Sequence, residues 1–283
     1  MDEPQSDASQ KETFNAQTIS GAAPADAGPV EEPAKLGPLQ RLTGVIFSPG
    51  DTFKDVNRKP TWMAPLLIAM LFSGAFFVFH AVTVKPDWVT LLREQQRRNQ
   101  QQGFGGNRQM PEEQMPMIAT VTKYFTFGVF LLVPIVHTLV VSGALALGLL
   151  LIQAQASFKK VLSVVAWSSV GTGLIHYVVL AASMFVKGFS TLTTIFPQEL
   201  DRKISATNVG AFMSAETSPA LRALGDSIDV FSFWFMLLLC LGLAAVSGSK
   251  KITPGKVAVV VIGLQLLYMV IKVGLARFIG FSN

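Results

Sequence analysis

Five stretches of this chain are long and apolar enough to cross a lipid bilayer, and nothing else in the sequence restricts the fold as severely. A helix rises about 1.5 Å per residue, so roughly 20 apolar residues span a hydrocarbon core of about 30 Å. Residues 62–84, 124–152, 161–186, 228–246 and 257–279 come close to or exceed that length. The expected fold is all-α: a polytopic membrane protein, a bundle of five transmembrane helices behind a disordered N-terminal tail. The first apolar run begins only near Trp62, so no secretory signal peptide is expected.

Composition agrees with a lipid-facing solvent. Half of the 283 residues are hydrophobic, 14% are charged, and Phe occurs 21 times against 3 for Tyr. Together with a mean hydropathy of +0.45, this argues against a wholly soluble enzyme. The single cysteine, Cys240, cannot close an internal disulfide, and it cannot form a Cys-based zinc cluster with three histidines. The net charge of +5 would suit a nucleic-acid binder only if the bases formed a patch, and they do not. Residues 1–38 are an acidic tail rich in Ala, Pro, Gly and Ser, with two bases against seven acids. The remaining bases flank apolar runs, which is a membrane pattern, and no basic stretch carries interleaved stacking aromatics. No nucleic-acid partner is expected.

Orientation follows from the short loops. The turn at 153–160 holds Lys159 and Lys160, the turn at 247–256 holds Lys250, Lys251 and Lys256, and neither has an acid. Both are expected in the cytoplasm. Arg41, Lys54, Arg58 and Lys59 before the first span place the N-terminus on the same side. An odd number of spans then leaves the C-terminus outside, in a multi-pass cell-membrane protein. The two long connections, 85–123 and 187–227, carry mixed charge and fall outside.

Between tail and bundle, residues 39–60 read as two short amphipathic helices, with the transmembrane domain at 61–283. Leu39, Leu42, Val45 and Ile46 recur at helical spacing in the first. The second starts with Ser48 as N-cap, Pro49 at the first helical position and Asp51 three residues on, resembling a capping box. Phe53 and Val56 share a face, and Trp62 is an interfacial anchor. This segment is expected either to lie in the headgroups as an amphipathic collar or to dock a partner on the cytoplasmic face.

The stretch Ile46-Phe-Ser-Pro-Gly-Asp-Thr-Phe53, leading to Lys59-Pro-Thr-Trp-Met-Ala-Pro-Leu66, resembles the start of the Yip (Ypt-interacting protein) domain family, particularly its bacterial members. Ser218-Pro-Ala-Leu-Arg-Ala-Leu-Gly-Asp-Ser-Ile-Asp-Val-Phe-Ser-Phe-Trp234, then Gly242-Leu and Lys256, is similar to that family's second half. The resemblance implies a five-span bacterial inner-membrane protein with a cytoplasmic N-terminus and no known reaction. Eukaryotic members act in vesicle traffic with prenylated Rab-type GTPases. Their Asp-Leu-Tyr-Gly-Pro motif has no counterpart here, and that role is not carried over.

Reactive motifs are missing from the sequence. There is no GxxxxGK[ST], HExxH, GxSxG or GxGxxG, and Gly103-Phe-Gly-Gly106 sits in a Gln-, Arg- and Asn-rich loop without a preceding strand. No catalytic residue, metal ligand or cofactor is expected, and the chain reads as a non-enzyme. The polar residues within spans are the sharpest oddity: His137 and His176 near mid-span, His80 near the end of the first span, Asp229 at the start of the fourth and Lys272 inside the fifth. Such groups are costly in a bilayer unless they face the bundle interior and find partners. Asp229 and Lys272 read either as an ion pair across consecutive helices or separately, as a helix-terminal acid and a base reaching for the headgroups. Pro134 should bend the second span. Two functions fit. One is a non-enzymatic protein that binds membrane lipids or protein partners, or a second copy of itself, and organises the membrane. The alternative is a small-solute or ion transporter or channel that uses the midplane histidines and a kinked second span.

Overall fold

The computed structural model describes residues 35–101, 111–214, 217–248 and 252–279. Residues 1–34 of the acidic tail, the glycine-bearing segment 102–110 and the turn residues 249–251 lie outside the described residues. Among the described residues ten α-helices follow in order: α1 (Pro38–Phe47), α2 (Pro49–Arg58), α3 (Met63–Thr83), α4 (Trp88–Gln101), α5 (Met115–Leu151), α6 (Phe158–Lys187), α7 (Leu200–Ile204), α8 (Pro219–Gly225), α9 (Val230–Val246) and α10 (Pro254–Ile279). Among the described residues no β-sheet forms. Asn208 and Asp229 make a single antiparallel bridge.

Four segments are long and apolar enough to cross a membrane: α3, 112–151 with α5, α6, and 254–275 of α10. The fifth, α9, has 17 residues and spans about 25 Å, about a turn short of a hydrocarbon core. It begins at Val230 because Asp229 takes an extended conformation and caps it. In contrast, α5 starts at Met115, nine residues before the apolar run that reveals it. The polar residues Thr120, Thr122 and Lys123 do not interrupt a helix whose ladder is internal.

Helices α1 and α2 pack one face against the bundle. Val45, Phe53 and Val56 are fully buried, in one core with Val164 and Trp167 of α6 and Leu238 and Leu243 of α9. Gly242 and Gly171 permit this approach: a Cβ on Gly242 would collide with Val164, and one on Gly171 with Val45. The start of α2 differs from a capping box. Ser48 stands at the N-cap and Pro49 at the first position, yet the Ser48 hydroxyl caps nothing. Its backbone (φ −144°, ψ 58°) departs from the extended cap geometry. Its carbonyl instead accepts from the Thr52 N–H (3.2 Å) and the Thr52 hydroxyl (3.0 Å). Asp51 pairs with Lys54 on the exposed side at 2.9 Å.

Both long connections fold back onto the helix ends. Leu91, Leu92, Met115 and Phe196 pack with Phe77 of α3, while Leu192, Leu200 and Ile204 pack with Phe76 of α3 and Leu180 and Met184 of α6. The outward faces of the long helices remain apolar and exposed, as at Leu71, Phe125, Val140 and Val259, which suits contact with lipid.

Candidate functional site

Two polar constructions stand out in this apolar bundle, and the first ties α1, α2 and the start of α3 together. Arg41 shares the buried face of α1 with Leu42 and Val45. Its Nε donates to Asp55 Oδ2 at 2.9 Å, and its Nη2 lies 2.7 Å from the same oxygen. Nη1 donates to the Lys59 carbonyl (3.1 Å) and the Thr61 hydroxyl (2.6 Å), and Trp167 of α6 donates to that hydroxyl at 3.4 Å. The other Asp55 oxygen accepts from the Lys35 backbone N–H at 2.7 Å. Arg41 and Asp55 are each only 3% exposed. Burial raises the Asp55 pKa, but hydrogen bonds from Lys35, Arg41 and Leu36 and the Arg41 charge outweigh it and hold the carboxyl below its ordinary value. Of the lead-in residues read from sequence, Phe53 is fully buried, whereas Trp62 sits 36% exposed at the start of α3, where an interfacial anchor belongs.

The second construction begins at Pro134. A proline has no N–H, so the carbonyl of Phe130 loses its donor within α5. Ser73 of α3 supplies one, its hydroxyl donating to Phe130 O at 2.6 Å, and the Tyr177 hydroxyl of α6 donates to Ser73 Oγ at 3.2 Å. Three helices are thereby joined at the proline. Beside this network lies a cavity of about 300 Å³ between α3, α5, α6 and α9. Its lining includes His137, His176, Asp229, Ser169, Thr172 and Gly173.

Asp229 Oδ2 accepts from the N–H groups of Phe231 (2.9 Å) and Ser232 (3.1 Å), capping α9. Its Oδ1 is buried without a hydrogen-bond partner, as are the hydroxyls of Ser169 and Thr172. The His176 ring meets Phe231 edge-on at 4.8 Å, and its Nε2 lies 3.6 Å from Asp201 Oδ1. Burial raises the Asp201 pKa; the neighbouring acids Asp229 and Asp226 add to that rise, against a lowering by His176 and Ser205. His137 lines the cavity from α5, its ring 5.8 Å from that of Phe235.

Three of the five polar residues singled out from sequence therefore share one cavity. Lys272 is absent from its lining and donates to the Ser227 hydroxyl at 2.9 Å. Asp229 caps the start of α9. It is level with His176, beyond which α6 continues for 11 residues to Lys187, about 16 Å. Asp201, whose only sequence signal was its place in a loop of mixed charge, joins His176 because α7 folds back onto α6. His80 lies elsewhere, fully buried, with both ring nitrogens unpartnered. Among the described residues no group of three or more His, Cys, Asp or Glu side chains is placed to hold a metal ion.

Comparison with known proteins agrees with this architecture. The chain is similar to the membrane protein YknW of Bacillus subtilis (strain 168), with 23% identity over 237 residues, covering 80% of this chain and 87% of that protein. No solved structure matches it. A family model described as the Yip1 domain matches residues 43–274, from within α1 to within α10. By that match, this membrane protein of several apolar helices belongs to the Yip1 domain family.

Proposed function

We propose that this chain is a non-enzymatic integral membrane protein that binds lipids or protein partners through its docked helices α1 and α2 and thereby organises the surrounding membrane. The observation that carries this reading is the buried Arg41–Asp55 pair. A freely floating amphipathic segment has no need of a desolvated ion pair, whose cost is met only by fixed geometry. The pair holds α1 and α2 against the bundle while leaving Leu39 (75% exposed) and Phe47 (80% exposed) facing outward. Those side chains are suited to enter the headgroup region or an apolar groove on a partner.

The accompanying topology has five crossings, with the N-terminus in the cytoplasm and the C-terminus outside. Lys159, Lys160 and Lys256 beside the short turns support the orientation, and the deep burial of Leu238 and Leu243 supports α9 as a crossing, the fourth in chain order. A photoreactive phenylalanine analogue at Phe47 tests the platform. Irradiation in cells should give lipid or discrete protein adducts well above those from the same probe at Asp51. Equal yields at the two positions refute the reading. A second reading, a small-solute or ion transporter, draws support from the polar cavity around His137, His176 and Asp229. Flux across liposomes that is lost in a His137→Asn/His176→Asn double variant would favour it over the platform.

A further inference from the structure

We propose that the cavity between α3, α5, α6 and α9 is a binding site for a primary ammonium group. The inference does not depend on the platform reading of α1 and α2, because it rests on a different part of the molecule.

The charge of the walls comes first. Asp229 is the charged side chain of the lining, no Lys or Arg lines it, and Asp201 stands immediately behind His176. A ligand would meet the Asp229 carboxylate, with Asp201 beyond His176 and the imidazoles of His137 and His176 as the basic groups of the lining, so the fixed negative charge favours a cation. The unmet hydrogen bonds come second. Thr172, a residue of the cavity wall, is 8% exposed, and its buried hydroxyl has no hydrogen-bond partner. The Ser169 hydroxyl and Asp229 Oδ1 are likewise buried and unpartnered on the same walls. Buried polar atoms of this kind ordinarily find partners, and three such oxygens on residues of one cavity wall favour a ligand that donates several hydrogen bonds. A primary ammonium carries three N–H donors, whereas a quaternary ammonium carries none. The α9 N–H groups nearest the site are already taken by Asp229 Oδ2, so the helix start offers nothing further to an anion.

The remaining wall is aromatic. Phe72, Phe231, Phe235 and Tyr177 surround the polar side. Such rings attract a cation through their faces and pack against an attached carbon chain. A volume of about 300 Å³ lies at the small end of ligand sites, which fits an alkylamine or the ethanolamine head of a phospholipid rather than a larger solute.

The test uses the full chain in nanodiscs of phosphatidylglycerol, with the thermal unfolding midpoint as readout. Propylammonium should raise the midpoint in a saturable way, whereas the neutral isostere 1-propanol and tetramethylammonium should not. Two variants report on the site. Asp229→Asn keeps a good N-cap while removing the charge. Gly173→Leu fills the cavity, since a Cβ at Gly173 meets nothing within 4 Å. Each should weaken the apparent affinity by about tenfold or more, the scale of a lost charge-assisted hydrogen bond. Adding phosphatidylethanolamine to the discs distinguishes the source. Stabilisation of the wild type but of neither variant identifies a lipid headgroup, and a response to propylammonium alone identifies a free amine. The proposal is overturned if neither amine shifts the midpoint, if 1-propanol or tetramethylammonium shifts it as much, or if the response persists unchanged in either variant.

Discussion

The proline in α5 yields the sharpest energetic test of the bundle, because its effect should be visible only in combination with a residue on another helix. Ser73 is 1% exposed and donates to Phe130 O at 2.6 Å, the carbonyl that Pro134 leaves without an intrahelical donor. Removing the hydroxyl leaves an unmet acceptor within hydrocarbon. Buried unsatisfied groups cost about 1–3 kcal/mol in general, whereas hydrogen bonds between membrane helices average about 0.6 kcal/mol and reach about 1.7. Ser73→Ala should therefore cost about 1–1.5 kcal/mol in the natural sequence, towards the upper end of the membrane range, because a proline at 134 offers no substitute donor. Pro134→Ala restores an N–H at that position, free to close the i→i−4 bond onto Phe130. In that background the same Ser73→Ala change should cost less than about 0.5 kcal/mol, a coupling of about 0.5–1 kcal/mol. Reversible unfolding of the four proteins in mixed micelles, followed by circular dichroism, measures the cycle. Equal costs of Ser73→Ala in both backgrounds, to within about 0.3 kcal/mol, refute the assignment of Ser73 as the replacement donor.

Further expectations concern the juxtamembrane node and the topology. Arg41→Ala should cost about 3–5 kcal/mol by stranding the Asp55 carboxylate, measured by the same unfolding assay. Because the folded Asp55 pKa is depressed, its contribution is full above the unfolded value of about 3.9 and is lost as pH falls through the lower folded value. A midpoint-versus-pH profile should therefore lose its acid-side slope on Asp55→Asn. Deleting residues 1–33 should leave the thermal midpoint nearly unchanged, whereas deleting 1–37 also removes the Lys35 and Leu36 N–H donors to Asp55 and should cost about 1–2 kcal/mol. With Cys240 replaced, a cysteine at Asp51 should be protected from a membrane-impermeant thiol reagent in intact cells and one at Phe212, 77% exposed, should be labelled. The reverse pattern inverts the topology.

The apolar runs were legible because a span must satisfy its backbone internally and cover itself with apolar side chains, a signal carried by contiguous residues. The ends of helices were less so. Lys123 and Thr122 are invisible to an apolarity argument yet helical, and α9 starts at Val230 because of a cap, not a change in hydropathy. His137, His176 and Asp229 each stood out as polar groups within spans, but their convergence depends on how four helices pack, which no short window encodes. Arg41 was read only as a positive charge on the cytoplasmic side. A signal was there to be used: it lies four residues before Val45, on the apolar stripe of α1, where an unpaired base would be expensive. Its partner 14 residues away, across a helix break, was not recoverable from spacing.

The shortness of α9 links these features. A helix running the full depth of the bundle would occupy the space beside the C-terminal part of α6, where Leu200 and Ile204 of α7 now pack with Leu180 and Met184. Starting α9 at the level of His176 places four unpaired N–H groups inside the protein rather than at its surface. Asp229 Oδ2 meets two of them, so a carboxylate must sit within the bundle. The α6–α9 connection must then return to cover that helix start. Its return brings Asp201 to His176 and pairs Val209 N–H with Ile228 O at 3.0 Å and Val230 N–H with Thr207 O at 3.2 Å. The acidic character of the cavity thus follows from ending a helix in the interior. The orphaned Asp229 Oδ1 is the one part of that arrangement that neither the cap nor the connection satisfies, and it lies in a residue of the cavity wall.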